Sequence, residues 1–112
     1  MAEKLAAAFK VNVRDLTGAT DVVLAPVTLY SVSIVNNQGA AIFVQLFDTV
    51  GAVTLGTTNP DWEFSVAASS SVSVNLNATG LFFKTGLRAA STTTEKGATP
   101  SAAGVQVFFG LN

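Results

Sequence analysis

VTLYSVSIVNNQGAAIFVQLFD, residues 27–48, is the stretch that decides the fold class. Apolar side chains alternate along both halves, and Tyr30, Val32 and Ile34 share one side of the first half. A period of two is the geometry of a β-strand, whose successive side chains point to opposite faces. Asn36–Gly39 lies between the halves and tolerates positive φ, so the stretch predicts two long strands joined by a tight hairpin turn.

Both predicted strands carry apolar side chains on each of their faces. In the second strand Ile42 and Leu46 lie on one face, and Phe43 and Phe47 lie on the other. An antiparallel sheet with one wet face would show a cleaner alternation of apolar and polar residues. We therefore expect a sheet that is covered on both sides by a second sheet, a neighbouring subunit or both.

The rest of the chain contains shorter alternating segments separated by turn residues. Strands are predicted at residues 9–14, 21–25, 53–55, 61–66, 71–76 and 105–110, and residues 81–91 form one interrupted strand or two, with a bulge at Gly86. Short strands at intervals of roughly ten residues are typical of an antiparallel sandwich or barrel. The sequence therefore predicts an all-β fold, a single-domain antiparallel β-sandwich of jelly-roll-like topology, over residues 10–112.

Residues 1–9 are predicted to form a short N-terminal arm. The segment from Ala2 to Phe9 is rich in helix-forming residues, and Leu5 and Phe9 are four positions apart, as on one face of a helix. A helix this short is marginal alone in water. We therefore expect the arm to become ordered when it docks on its own domain or on a neighbour.

The composition is poor in charge. Charged residues make up 12% of the 112-residue chain and the net charge is −1, whereas a typical soluble domain has about 25% charged residues. One interpretation is a Ser/Thr-faced sandwich that is soluble by itself. The interpretation we favour is a domain whose surface is covered by other subunits.

The distribution of charge and apolar residues excludes several partners. Six cations are scattered among seven acids, so no basic stripe for nucleic acid is present. No apolar run reaches the length of about 18 residues needed to cross a membrane. The N-terminal sequence lacks a convincing signal peptide, and we expect a chain that begins inside a cell.

The sequence predicts neither catalysis nor a cofactor. The chain has no His and no Cys, which removes the commonest general base and thiol chemistry. Asp61 and Glu63 could approach each other as paired carboxylates, but they are more simply the solvent face of a strand. Asp15, Asp21 and Asp48 fall at strand ends, where Asp caps backbone amides more often than it binds Ca²⁺.

Two aromatic residues leave a sugar-binding alternative open. Trp62 and Tyr30 have both an apolar ring and a polar group, and Trp62 lies between Asp61 and Glu63. Exposed rings of this kind could stack on pyranose sugars. The favoured interpretation is that Trp62 is a core or interface anchor, because Phe64 and Val66 fall on the same strand face.

Three segments carry a resemblance to a known group of proteins. They are LYSVSIVNNQGAAIFVQLFD at 29–48, GLFFKTGL at 80–87 and, after a Thr-rich segment, VQVFFG at 105–110. In these strand patterns the chain resembles small tailed-phage virion proteins, which are β-sandwich or jelly-roll proteins. The similarity runs from about Leu29 to Phe109, and the N-terminal segment has no matching counterpart.

The resemblance implies a structural role without catalytic residues. It suggests a capsid cement or decoration protein on the virion surface, assembled in the host cytoplasm, trimeric, and bound to the major capsid protein. The alternative is a carbohydrate-binding module of a phage fibre or tail tip. For the first role we place Leu5 and Phe9 in a groove of the partner. Five aromatic residues are expected to divide between the core and the subunit interface: Trp62, Phe82, Phe83, Phe108 and Phe109.

Overall fold

The computed structural model describes residues 9–76 and 80–112. The predicted helical arm, including Leu5, therefore lies outside the described residues, except for Phe9, which is the first residue of a strand. The described residues form nine strands: β1 (Phe9–Val13), β2 (Thr20–Val23), β3 (Val27–Asn36), β4 (Ile42–Asp48), β5 (Trp62–Val66), β6 (Ser70–Asn75), β7 (Leu81–Phe83), β8 (Leu87–Thr92) and β9 (Val105–Leu111). No helix in the described ranges has the length and apolarity to cross a membrane.

The strands form two antiparallel sheets packed face to face. Sheet A has the order β1-β9-β3-β6, with β7 also paired to β3, and sheet B has the order β2-β8-β4-β5. Most connections along the chain cross from one sheet to the other, which is the arrangement of a jelly roll with two Greek keys. The predicted antiparallel, jelly-roll-like β-sandwich is confirmed.

The predicted hairpin between residues 27 and 48 is wrong. β3 pairs with β9, β6 and β7 in sheet A, whereas β4 pairs with β5 and β8 in sheet B. The buried side chain of Asn36 holds this crossing, since its amide group donates to the carbonyls of Ala40 (3.0 Å), Val66 (3.2 Å) and Ala67 (2.9 Å). Asn36 thus ties the corner between β3 and β4 to the corner between β5 and β6.

A bulge explains why β3 is apolar on both faces. Its register against β9 shifts between Leu29 and Ser31, so Tyr30 is an extra residue. Before the shift the buried residue is Leu29, at an odd-numbered position. After the shift the buried residues are Val32 and Ile34, at even-numbered positions. An extra residue in one strand changes which side chains face inward, so both halves of β3 contribute to a single core.

β6 and β7 form one interrupted edge of sheet A. They pair with successive parts of β3, from Asn36 back to Ser31 and from Leu29 to Val27. β7 and β8 lie in different sheets, so Gly86 belongs to a crossing segment and is not a bulge within one strand. The predicted strand at 53–55 is absent as well, because this part of the chain is loop and turn.

The core lies between the two sheets. Val32 and Ile34 of sheet A and Val44 and Leu46 of sheet B are each 0% exposed. Aliphatic side chains from β3, β4, β8 and β9 dominate the cluster, and Val72 and Val74 of the edge strand β6 pack against it. Burial of this apolar surface is the main favourable term for the fold.

The outer face of sheet B is covered by loops of the same chain. Gln45 is 0% exposed and donates to the Thr92 hydroxyl (3.0 Å) and to the Gly97 carbonyl (3.4 Å). Glu63 accepts a hydrogen bond from the Lys96 N–H (2.8 Å). The expected double-sided cover is therefore found at β4, where it is supplied by the loop after β8.

The outer face of sheet A is open, in contrast to that of sheet B. Its side chains are mostly small and neutral, and Lys10 is its charged member among the strand residues. The face includes Lys10, Asn12, Ser31, Ser33, Ser71, Ser73, Asn75, Gln106 and Phe108. We refer to it as the open face.

Candidate interaction surface

Large exposed apolar side chains gather at one end of the sandwich. In the described residues they are Phe9, Leu24, Val50, Trp62, Phe82 and Phe108. All of these except Phe108 lie at the end where β1 and β5 begin and β2 and β4 finish. We call the surface formed by Phe9, Leu24, Val50, Trp62 and Phe82 the apolar end.

The strand register of sheet A places Phe9 and Phe82 at the same end of the sheet. Phe9 pairs with Leu111, and Leu111 pairs with Leu29 on the neighbouring strand. Phe82 pairs with Thr28, one residue before Leu29. Phe9 and Phe82 therefore stand at the same level along the strands, separated by β9 and β3.

The register of sheet B brings the remaining members to the same end. Leu24 directly follows β2, whose last residue pairs with Leu87. Leu87 also pairs with Asp48, which Val50 follows by two positions, and Trp62 pairs with Leu46 on the other side of β4. Trp62 is 47% exposed because it begins an edge strand, although it shares the inward face of β5 with Phe64.

Hydrogen bonds to two Asp side chains fix the loops of the apolar end. Asp48 accepts from the backbone N–H groups of Lys84 (3.1 Å) and Thr85 (2.9 Å). Asp61 accepts from the N–H of Asp48 (2.7 Å). Burial acts to raise the pKa of Asp48, but the hydrogen bonds from Thr85 and Lys84 outweigh it and hold this pKa below its ordinary value.

A tight contact also fixes Val50. A Cβ placed on Gly86 would lie 2.5 Å from Val50 Cγ1 and 2.8 Å from the Val23 carbonyl oxygen. Glycine at this position thus lets its own segment approach the end of β2 and the loop after β4 closely. The apolar side chains of this end are therefore presented by backbone segments that are packed against one another.

The structure separates the residues predicted to form interfaces. Phe9, Trp62 and Phe82 lie at the same end of the sandwich, whereas Phe108 is exposed on the open face, nearer the middle of β9. Leu24 and Val50 were not predicted as interface residues. Leu24 was assigned to a strand at 21–25 but follows the end of β2 at Val23, and Val50 lies in a loop. Only the strand order shows that both belong to the same end as the others.

Two predicted interface residues belong instead to the core. Phe83 is 1% exposed and Phe109 is 0% exposed, and both are members of the central apolar cluster. Side chains alternate along a strand, so Phe82 and Phe108, their neighbours in sequence, point outward. Phe83 and Phe109 are already covered by their own domain and have no surface to offer a partner.

The aromatic residues of the sugar-binding alternative do not form one platform. Tyr30 belongs to β3 in sheet A, and Trp62 belongs to β5 in sheet B. Tyr30 lines a cavity beside Gly110, and Trp62 does not line that cavity. Stacking of a single sugar between these two rings is therefore not supported.

The acidic residues considered for catalysis or metal binding are bonded to backbone N–H groups or, for Asp21, to an Arg side chain. Asp15 accepts from the Gly104 N–H (3.1 Å), and Asp21 forms an ion pair with Arg88 (2.8 Å). Asp61 and Glu63 are likewise bonded to main-chain N–H groups. Within residues 9–76 and 80–112, no three acidic side chains are grouped in a way that could hold a metal ion.

Comparison with known proteins found no matching family model, no matching curated protein and no matching solved structure.

Proposed function

We propose that this protein is a phage virion structural protein, a capsid cement or decoration protein that binds the major capsid protein in the assembled head shell. The observation that carries the proposal is the apolar end, where Phe9, Leu24, Val50, Trp62 and Phe82 are exposed together. Exposed apolar clusters on a small domain mark contact surfaces for other proteins. The resemblance of the strand segments to small virion proteins supports the same role.

The apolar end is small, so we infer that several copies of the protein must bind the shell at once. The molecule measures 49 × 28 × 19 Å, and β3 alone spans about 33 Å at the usual rise per residue, so the strands follow the longest axis. The end of the sandwich then offers roughly 500 Å² of contact, less than the roughly 800 Å² per partner of a standard interface. One such contact is weak, but the repeated contacts of a trimer on a lattice reinforce one another.

Multivalent binding accounts for stabilisation of an assembled shell. A trimer, the oligomer we propose, would present its apolar ends to neighbouring capsid subunits at once. A free capsid subunit would contact the apolar end of only one protomer in the trimer and would therefore bind weakly. Binding that favours the assembled lattice stabilises it by mass action.

Co-sedimentation tests the proposal. Purified protein is mixed with empty head shells of the phage whose genome encodes it, and in parallel with the unassembled capsid protein. We expect pelleting with shells, and we expect the double variant Leu24→Ser/Phe82→Ser to lose it. Phe108→Ser is the matched control, since it removes an equally apolar exposed ring outside the apolar end. The proposal fails if the wild-type protein stays in the supernatant even when the shells are in large excess.

A carbohydrate-binding module is the second candidate. Its sugar site would include Tyr30 but not Trp62. The specific observation in its favour is the cavity beside Gly110, which Tyr30 lines together with polar residues.

A further inference from the structure

A trough crosses the open face next to Gly110. Two cavities of about 290 Å³ and 280 Å³ share Lys10, Ser31 and Gly110 among their lining residues. One extends towards Tyr30 and Asn112, and the other extends towards Phe108. We define the trough by Lys10, Tyr30, Ser31, Phe108, Gly110 and Asn112.

Gly110 creates the depth of the trough. It pairs with Lys10 on one side and Ser31 on the other, in the middle of a three-strand surface. A Cβ at this position would lie 2.3 Å from Ser31 Oγ. The missing side chain leaves a depression between Phe108, which is two residues earlier on the same face, and the bulged Tyr30.

The bulge in β3 places Tyr30 at this depression. Because Tyr30 is the extra residue opposite β9, it departs from the regular alternation of the strand. The Cδ1 atom of its ring is 3.1 Å from the position of a Cβ on Gly80, so the ring lies against Gly80, the residue before β7. The trough therefore has an aromatic residue at each side and a backbone floor.

The polar groups of the trough are nearly neutral as a set. Lys10 is its cation, and the described lining residues include no Asp or Glu side chain. Ser31, Ser33 and Asn112 add hydroxyl and amide groups, which both donate and accept hydrogen bonds. Phe108 remains 40% exposed at the margin.

The charge and hydrogen-bonding capacity of the trough residues determine which class of ligand can bind there. A cation would find no acidic side chain, and a multiply charged anion would find Lys10 as the one basic side chain of the lining. A wholly apolar ligand would cover Ser31 and Lys10 without satisfying their hydrogen bonds, which is costly. A neutral polyhydroxylated ring satisfies both kinds of surface, because its hydroxyls reach the polar groups while an apolar face lies on an aromatic ring.

We propose that the trough is a binding site for a neutral saccharide. Its size supports one or two sugar rings, because small-molecule pockets start at about 300 Å³. The site is separate from most of the apolar end and meets it only at Phe9, which also lines the trough. A molecule docked on a shell through the apolar end would keep most of the open face in solvent, so the two proposals stand independently.

Titration monitored by ¹⁵N–¹H correlation spectra tests the site. The probes are N-acetylglucosamine and the methyl glycosides of glucose, galactose and mannose, each added to about 50 mM so that sites with Kd near 1 mM saturate. For at least one probe we expect saturable shifts of the Lys10, Ser31 and Gly110 amides, with the Ser71 amide unmoved.

Two variants and one control make the result decisive. Ser31→Trp fills the trough and Phe108→Ala removes an aromatic wall, and each is expected to weaken binding at least 10-fold. Ser71→Trp places the same bulk on the same face, opposite Val35 and away from the trough, and should leave binding unchanged. The spectra themselves show whether each variant is folded. The absence of saturable shifts with all four probes, or unchanged binding in folded Ser31→Trp, overturns the proposal.

Discussion

Asp48 and Thr85 are joined by two hydrogen bonds to one carboxylate oxygen. Asp48 Oδ1 accepts from the Thr85 N–H at 2.9 Å and from the Thr85 hydroxyl at 2.8 Å. Asp48 is the last residue of β4 in sheet B, and Thr85 lies in the segment that crosses from β7 in sheet A to β8. The pair therefore links the two sheets at the apolar end.

We expect the stability of the protein to depend on the charge of Asp48. Its pKa in the folded protein is lower than the ordinary value of 3.8, so the carboxylate contributes stability that is fully present above the unfolded pKa. This contribution is lost as the pH falls through the folded pKa, below 3.8. Asp48→Asn should cost about 1 kcal/mol near neutral pH, a value reduced for solvent exposure, and the cost should shrink in acid.

Denaturant unfolding of the wild type and Asp48→Asn, from about pH 7 down to about pH 2, measures this difference. Glu95→Gln is the control, since it removes one negative charge from an exposed loop residue. A cost of Asp48→Asn that is constant over the whole pH range would show that the carboxylate charge is not what Thr85 and Lys84 stabilise.

Asn36 should be far more sensitive to substitution than its neighbour Asn37. Asn36 is 1% exposed, and its amide group donates to three carbonyl oxygens. Asn36→Asp would place an acceptor against those carbonyls and should destabilise the fold by about 3 kcal/mol or more. Asn37→Asp, at an exposed position, should change stability by less than about 0.5 kcal/mol. Equal effects of the two variants on thermal unfolding would contradict the assigned role of Asn36.

The same residue shows why the hairpin was mispredicted. A run of Asn, Gln and Gly favours a turn, and Asn36–Gly39 does reverse the direction of the chain. The sequence pattern does not reveal that Asn36 bonds to Val66 and Ala67 thirty residues away. Local propensity therefore located the turn correctly but could not distinguish a hairpin from a crossing between sheets.

Gly86→Ala should destabilise the protein, whereas Gly39→Ala should not. A Cβ on Gly86 would meet the Val23 carbonyl oxygen at 2.8 Å, and a backbone atom cannot rotate away as a side chain can. We expect a cost of about 1–3 kcal/mol from this overpacking. At Gly39 nothing lies within 4 Å of the added Cβ. Chemical denaturation of both variants provides the comparison. An unchanged stability of Gly86→Ala would mean that the Gly86 segment is not packed against Val23 and Val50 as described.

Two pairs of adjacent Phe residues test the division between core and surface. Phe83→Ala and Phe109→Ala remove fully buried rings and should each cost about 3–5 kcal/mol. Phe82→Ala and Phe108→Ala remove exposed rings and should change stability by less than about 0.5 kcal/mol. Unfolding free energies of the four variants give the answer directly. A large cost at Phe82 would place that ring in the core and weaken the case for the apolar end.

The two Phe pairs also mark the limit of sequence prediction for the candidate surface. The period of two shows that one Phe of each pair faces inward, but it does not show which one. That choice depends on pairing with β3, where the bulge at Tyr30 shifts the register. Leu24 and Val50 show the same limit more strongly. Both lie outside the strands of the structure, and only the strand order shows that they belong to the same end as Trp62.

Trp62 should report docking of the apolar end by its fluorescence. It is the only tryptophan in the sequence, and 47% of its surface is exposed. If the apolar end binds assembled head shells, burial of this ring should shift its emission to shorter wavelength and reduce quenching by acrylamide. Measurement in the presence of shells assembled from a capsid protein without tryptophan, or after subtraction of the shell signal, isolates the change. Phe82→Ser should abolish the shift because it removes another exposed ring of the apolar end, and Phe108→Ser should retain it. Sedimentation with shells while the Trp62 emission stays unchanged would show that another surface makes the contact.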